Sequence, residues 1–74
     1  MTDRLSGMTI REALTLAKEK PGTVVGCPES EYEYRFTDTG ILMWRRATGG
    51  VWRLAAISAF SLSEALSDEW EVRK

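Results

Sequence analysis

The sequence predicts an α+β domain: an N-terminal helix packed on a small, mostly antiparallel sheet, with a central three-strand meander, a short helical turn and a final strand. Three observations carry this reading. A Thr9-x-x-Glu12 capping box precedes residues whose apolar members recur on one helical stripe. From Glu31 to Ala56 the chain alternates apolar and polar residues and is interrupted twice by turn chemistry ending in glycine. Near the end, Trp70 and Val72 alternate with Glu69 and Glu71, as in a strand with one face buried.

Residues 1–8 are small and polar and read as a loose N-terminal segment ahead of a single domain over 9–74. The first helix places Ile10, Ala13, Leu14 and Ala17 on its stripe, with Leu16 at the edge. Lys18 and Lys20 suit the negative end of its dipole, and Pro21-Gly22 stops it. About three turns are too few to stand alone, so this helix must pack on the sheet. Thr23-Val24-Val25-Gly26-Cys27 is a short strand closed by Pro28. The meander follows, and Ile57 to Phe60 carries the chain away from it. Ser61 and Glu64 form a second capping box over a single turn containing Leu62, Ala65 and Leu66. Trp70 and Val72 then point inward on the last strand.

Turn chemistry sets the register of the meander. Asp38-Thr39-Gly40 and Thr48-Gly49-Gly50 read as three-residue hairpin loops whose last glycine takes a positive φ. Phe36 then faces Leu42, Tyr34 faces Trp44 and Tyr32 faces Arg46; on the second hairpin Trp44 faces Leu54 and Arg46 faces Trp52. The reverse face pairs Glu33 with Arg45 and sets Arg45 beside Arg53. A slip of one residue would exchange the faces.

The chain has 74 residues, a net charge of −1, 43% hydrophobic and 28% charged residues, which describes one ordinary globular core rather than disorder. So small a domain, with no disulfide framework, is expected to gain burial by forming homo-oligomers. The near-neutral charge argues against a nucleic-acid polymer as partner. No apolar run approaches the about 20 residues needed to cross a bilayer, and the single Cys27 fits a reducing cytoplasm. Histidine is absent, which removes the usual general base and metal ligand, and no phosphate-loop or dinucleotide fingerprint occurs. Glu29, Glu31 and Glu33 read as a solvated acidic rim. The expectation is a protein that is not an enzyme and uses no cofactor or metal.

Binding chemistry resides in arginine and aromatic residues. Arg46 is expected between Tyr32 and Trp52 at the open end of the core face. There its guanidinium either grips a phosphate beside a stacked base or caps the core by stacking on Trp52. Arg45 and Arg53 form a second cationic pair, attractive to a phosphate or to a partner's carboxylates, or merely solvated. Trp44, Trp70, Tyr34 and Phe36 read as core, and Cys27 as a small buried hydrophobe.

Two segments resemble a known family. Met8-Thr9-Ile10-Arg11-Glu12-Ala13-Leu14 is similar to the opening of small phage proteins of the second Thoeris anti-defence family. Leu62-Ser63-Glu64-Ala65-Leu66-Ser67-Asp68-Glu69-Trp70-Glu71-Val72 is similar to that family's closing run. The resemblance spans most of Met8 to Val72. It implies a homo-oligomeric sponge in the host bacterial cytoplasm that sequesters a cyclic nucleotide immune signal without cleaving it. The signal would be a cyclic ADP-ribose isomer or, as for some relatives, a cyclic dinucleotide. The ligand-binding residues would be Arg46, Trp52, Tyr32, Arg45 and Arg53. A rival of another class is a protein-binding inhibitor of a host defence effector, such as an anti-CRISPR protein, using the acidic rim.

Overall fold

A computed structural model describes residues 6–55 and 60–73. Helix α1 spans Ile10–Glu19. Thr9 Oγ1 accepts from the Glu12 N–H at 3.2 Å and Glu12 Oε1 accepts from the Thr9 N–H at 2.9 Å, so the capping box is closed in both directions. At the other end the Lys20 N–H reaches the Leu16 carbonyl, and Gly22, at φ +93°, turns the chain. Its own N–H then bonds the Phe36 carbonyl at 3.2 Å, tying the helix exit to the sheet. Ala13 and Ala17 are fully buried, and their small side chains let the helix approach the strands closely. Ile10, Leu14 and Leu16 pack around them.

The strands are β1 (Val25–Gly26), β2 (Tyr32–Phe36), β3 (Leu42–Arg46), β4 (Arg53–Leu54) and β5 (Glu71–Val72), with helix α2 (Leu62–Leu66) before the last. They form one five-stranded sheet in the order β4-β3-β2-β1-β5, every pair antiparallel. The meander supplies the first three positions in that order. The last strand crosses to the far edge and pairs with β1, setting Val72 opposite Val25. The core lies on one face, where Val25, Cys27, Tyr34, Leu42 and Trp70 meet α1. Met8 belongs to it as well: it is 2% exposed and exchanges two backbone hydrogen bonds with Trp70, of 3.0 and 2.9 Å. The loose segment expected over residues 1–8 therefore does not extend to Met8, and residues 1–5 lie outside the described residues. The connection expected over Ile57 to Phe60 falls outside them too, except for Phe60, which packs on Tyr34.

The first hairpin has the expected register, with Phe36 opposite Leu42, Tyr34 opposite Trp44 and Tyr32 opposite Arg46. The second does not. Trp44 pairs with Arg53 and Met43 with Leu54, one residue out of the expected alignment. Gly49 and Gly50 both adopt positive φ, +115° and +121°, and the connection runs from Ala47 to Trp52 instead of closing in three residues. Shifting by one residue moves each side chain of the strand to the opposite face. Leu54, expected in the core, is 71% exposed, and Trp52 joins the reverse face. What the shift gains is visible there: the Trp52 ring meets two guanidiniums, a contact worth about 1 kcal/mol each at a partly exposed site.

Helix α2 departs from its sequence pattern in a second way. Its capping box forms, but Leu62 and Leu66 are both 74% exposed, while Glu64 is 3% exposed. The helix faces the core with its carboxylate.

Candidate functional site

Two groupings emerge on opposite faces of the sheet. On the helix-bearing face, the register places Tyr32 beside Arg46 on one cross-strand row and Trp44 beside Arg53 on the next. Tyr32 and Trp44 contact edge to face with ring centroids 5.0 Å apart. The Arg46 guanidinium lies 5.9 Å from the Tyr32 centroid and pairs loosely with Glu31 at 3.7 Å, both side chains being largely solvated. The Trp44 indole N–H is held by the Leu54 carbonyl at 3.0 Å, which fixes the ring plane.

Tyr32 is also one wall of a cleft of about 290 Å³ lined by Glu29, Ser30, Glu31, Ser61 and Glu64. Glu64 forms its floor. Its Oε2 accepts from the Tyr34 hydroxyl at 2.7 Å and from the Ser30 hydroxyl, and its Oε1 accepts from the Ser61 N–H at 2.8 Å. Burial pushes the Glu64 carboxyl up, but the hydrogen bonds from Ser30, Ser61 and Tyr34 together outweigh it and hold the group below its ordinary range. Tyr34 responds in the opposite sense. Burial first, and then its bond to the Glu64 carboxylate, raise its phenol well above normal. Glu29 at the cleft edge accepts from the Ser67 hydroxyl at 2.7 Å, which lowers its pKa. Carboxylates line the cleft; Arg46, paired with Glu31, lies beside its Tyr32 wall, and Arg53 lies opposite Trp44 on β4. Among the described residues, no cluster of carboxylates and thiols converges closely enough to hold a metal ion.

The other face carries no described helix. Trp52 lies there with the Arg35 guanidinium carbon 4.3 Å and that of Arg45 4.7 Å from its ring centroid. Arg45 Nε donates to Glu33 Oε1 at 2.9 Å, the pairing expected from sequence, while Glu33 Oε2 lies 3.8 Å from Arg73. Arg73 in turn donates to Glu71 at 3.0 Å. Its guanidinium rests on Gly26, where a Cβ would stand 2.8 Å from Nη1. Glu33 is 7% exposed, so it is an anchor for two arginines and no part of a solvated acidic rim.

The five residues expected to bind ligand are therefore divided by the sheet. Tyr32, Arg46 and Arg53 share the helix face; Arg45 and Trp52 share the other, and Arg46 does not bridge Tyr32 and Trp52. Arg45 and Arg53 are not neighbours, because the register shift sends Arg53 to the side of Trp44. Sequence reasoning missed Arg35, whose signal was its place two residues from Glu33 on the same strand face, and Glu64 with Ser30, whose contact spans 34 positions of sequence.

The fold is that of a small α+β domain, one helix-bearing sheet face carrying the cleft and the other the arginine–indole cluster. Comparison of the chain with protein-family models, with curated proteins and with solved structures finds no match.

Proposed function

We propose that this chain is a phage anti-defence protein that binds and sequesters a cyclic nucleotide signal, a cyclic ADP-ribose isomer or a cyclic dinucleotide, without cleaving it. It would act in the cytoplasm of an infected bacterium. The observation that carries the reading is the Tyr32 cleft. The Tyr32–Trp44 pair has Arg46 and Arg53 as its cross-strand neighbours, and the cleft walled by Tyr32 carries the carboxylates of Glu29, Glu31 and Glu64. A nucleotide has the same polarity: ribose hydroxyls and base amino groups donate hydrogen bonds, and phosphates accept them. In this arrangement the base stacks against Tyr32 or Trp44, the sugar hydroxyls meet Glu29 and Glu31, and the phosphates meet Arg46 and Arg53. No helix among the described residues is long and apolar enough to cross a membrane.

Thermal unfolding with candidate nucleotides tests this. A ligand at one hundred times its Kd adds about 2.7 kcal/mol. The expected result is a Tm increase with one of these nucleotides, lost in a Tyr32→Ala, Arg46→Gln variant, with the nucleotide recovered chemically intact after denaturation. No shift with any cyclic ADP-ribose isomer or cyclic dinucleotide, or recovery of a cleaved product, refutes the reading.

One observation favours a second reading. Leu62 and Leu66, a turn apart on α2, are both 74% exposed, and such a pair suits a protein partner. In that reading the chain inhibits a host defence effector, or assembles with its own copies. Light scattering on the purified protein and stoichiometric capture of an effector separate these outcomes from ligand binding alone.

A further inference from the structure

We infer that the face of the sheet opposite the helices carries a second, independent site for a small phosphoryl anion, built from Arg35, Arg45 and Trp52. Two guanidinium carbons lie 4.3 and 4.7 Å from the centroid of one indole, and the register makes Arg35 and Arg45 diagonal neighbours on that face of β2 and β3, so two like charges share one aromatic ring. Among the described residues Arg35 has no carboxylate partner, and Arg45 spends only its Nε on Glu33, leaving both terminal nitrogens without a hydrogen bond. The side chain of Arg45 is 31% exposed, so it is in part open to solvent.

Both arginines are also fixed in advance. The indole contacts each guanidinium, and the buried Glu33, itself shared with Arg73, anchors Arg45 through its Nε. Preorganised donors give up little side-chain freedom when an anion arrives. The chemistry of the pair selects the anion. A carboxylate offers two oxygens in one plane and satisfies a single guanidinium fork. A terminal phosphoryl group offers three oxygens in three directions and up to two negative charges, matching two guanidiniums at once. The sheet separates this site from the Tyr32 cleft, so neither site requires the other.

The test is a titration of the ¹⁵N-labelled protein with inorganic pyrophosphate at constant ionic strength, following indole and arginine Nε resonances. Saturable shifts are expected at Trp52, Arg35 and Arg45, with Arg46, Arg53 and Trp44 unmoved. Acetate at equal ionic strength is expected to give no saturation. Arg35→Gln weakens binding about tenfold, and Arg35→Lys, which keeps the charge but loses the fork, weakens it by a smaller factor. Tyr32→Ala leaves the titration unchanged, so failure of nucleotide binding in the cleft does not disturb this result. Uniform, non-saturating drift of all arginines, saturation by acetate at the same concentration, an unaltered affinity in Arg35→Gln, or shifts centred on Arg46 and Arg53 would each overturn the inference.

Discussion

Replacing Glu64 by Gln is expected to destabilise the protein more than replacing Leu66 by Ala, although residue type alone suggests the reverse. Glu64 is 3% exposed and its two oxygens accept from Tyr34, Ser30 and the Ser61 N–H. Each of these groups is a donor. An amide replaces one acceptor oxygen by an NH₂: facing the Ser61 N–H it sets a donor against a donor, facing the Tyr34 and Ser30 hydroxyls it turns them into acceptors and leaves their protons without the buried oxygen, and in either case the remaining bonds lose their charge assistance. An unsatisfied buried donor costs about 1–3 kcal/mol, and we set the whole loss at about 2 kcal/mol. Leu66 is 74% exposed, and truncating it changes stability by no more than about 0.5 kcal/mol. A domain of this size has in total about 4–11 kcal/mol, so the difference is easily resolved. Urea unfolding monitored by tryptophan fluorescence, with a slope of about 1 kcal/mol/M, gives a midpoint about 2 M lower for Glu64→Gln and almost unmoved for Leu66→Ala. If Leu66→Ala lowers the midpoint more than Glu64→Gln, α2 does not face the core with its carboxylate and the reasoning fails.

Three further expectations follow from the same packing. The hydrogen bonds to Glu64 hold its carboxyl below the ordinary carboxylate range in the folded state, so its contribution to stability is present above the unfolded pKa and is lost as pH falls through the folded one; acid titration of the unfolding midpoint should show this decline, flattened in Glu64→Gln. Met8→Ala removes most of a side chain that is 2% exposed and should cost about 2–3 kcal/mol by chemical denaturation, whereas Met8→Leu, conserving volume, should cost under about 1.5 kcal/mol. Gly26→Ala drives a Cβ to within 2.8 Å of Arg73 Nη1; the flexible guanidinium yields and its contact with Glu33 is lost, for about 1 kcal/mol. A double-mutant cycle with Arg73→Gln should therefore show coupling between the two positions.

Much of the architecture was legible because it rests on local rules. Both capping boxes, the stripe of α1 and the first hairpin depend on residues within a few positions of one another, and Gly40, at φ +84°, closes the Asp38-Thr39-Gly40 loop as its chemistry demands. The second hairpin was ambiguous for a physical reason. Adjacent Gly49 and Gly50 permit several loop lengths at similar cost, and the choice among them is made by Trp52 finding Arg35 and Arg45, one of them on a strand that is not its neighbour. The candidate site suffered most from this, since one residue of slip moved Arg53 and Trp52 across the sheet. The burial of Glu64 was illegible for a related reason: its partners Ser30 and Tyr34 are 34 and 30 positions away, and no periodicity in α2 points to them.

The paired backbone bonds between Met8 and Trp70 have a consequence for how the molecule is made. The β2–β3 hairpin can assemble as soon as its own residues leave the ribosome. The rung that joins the segment before α1 to the segment before β5 must wait until 62 further residues have been synthesised, and closing so large a loop carries an entropic cost that local turns avoid. Until then, β1 presents a bare edge to the cell. The closing strand both completes the sheet and ends its exposure to wrong partners.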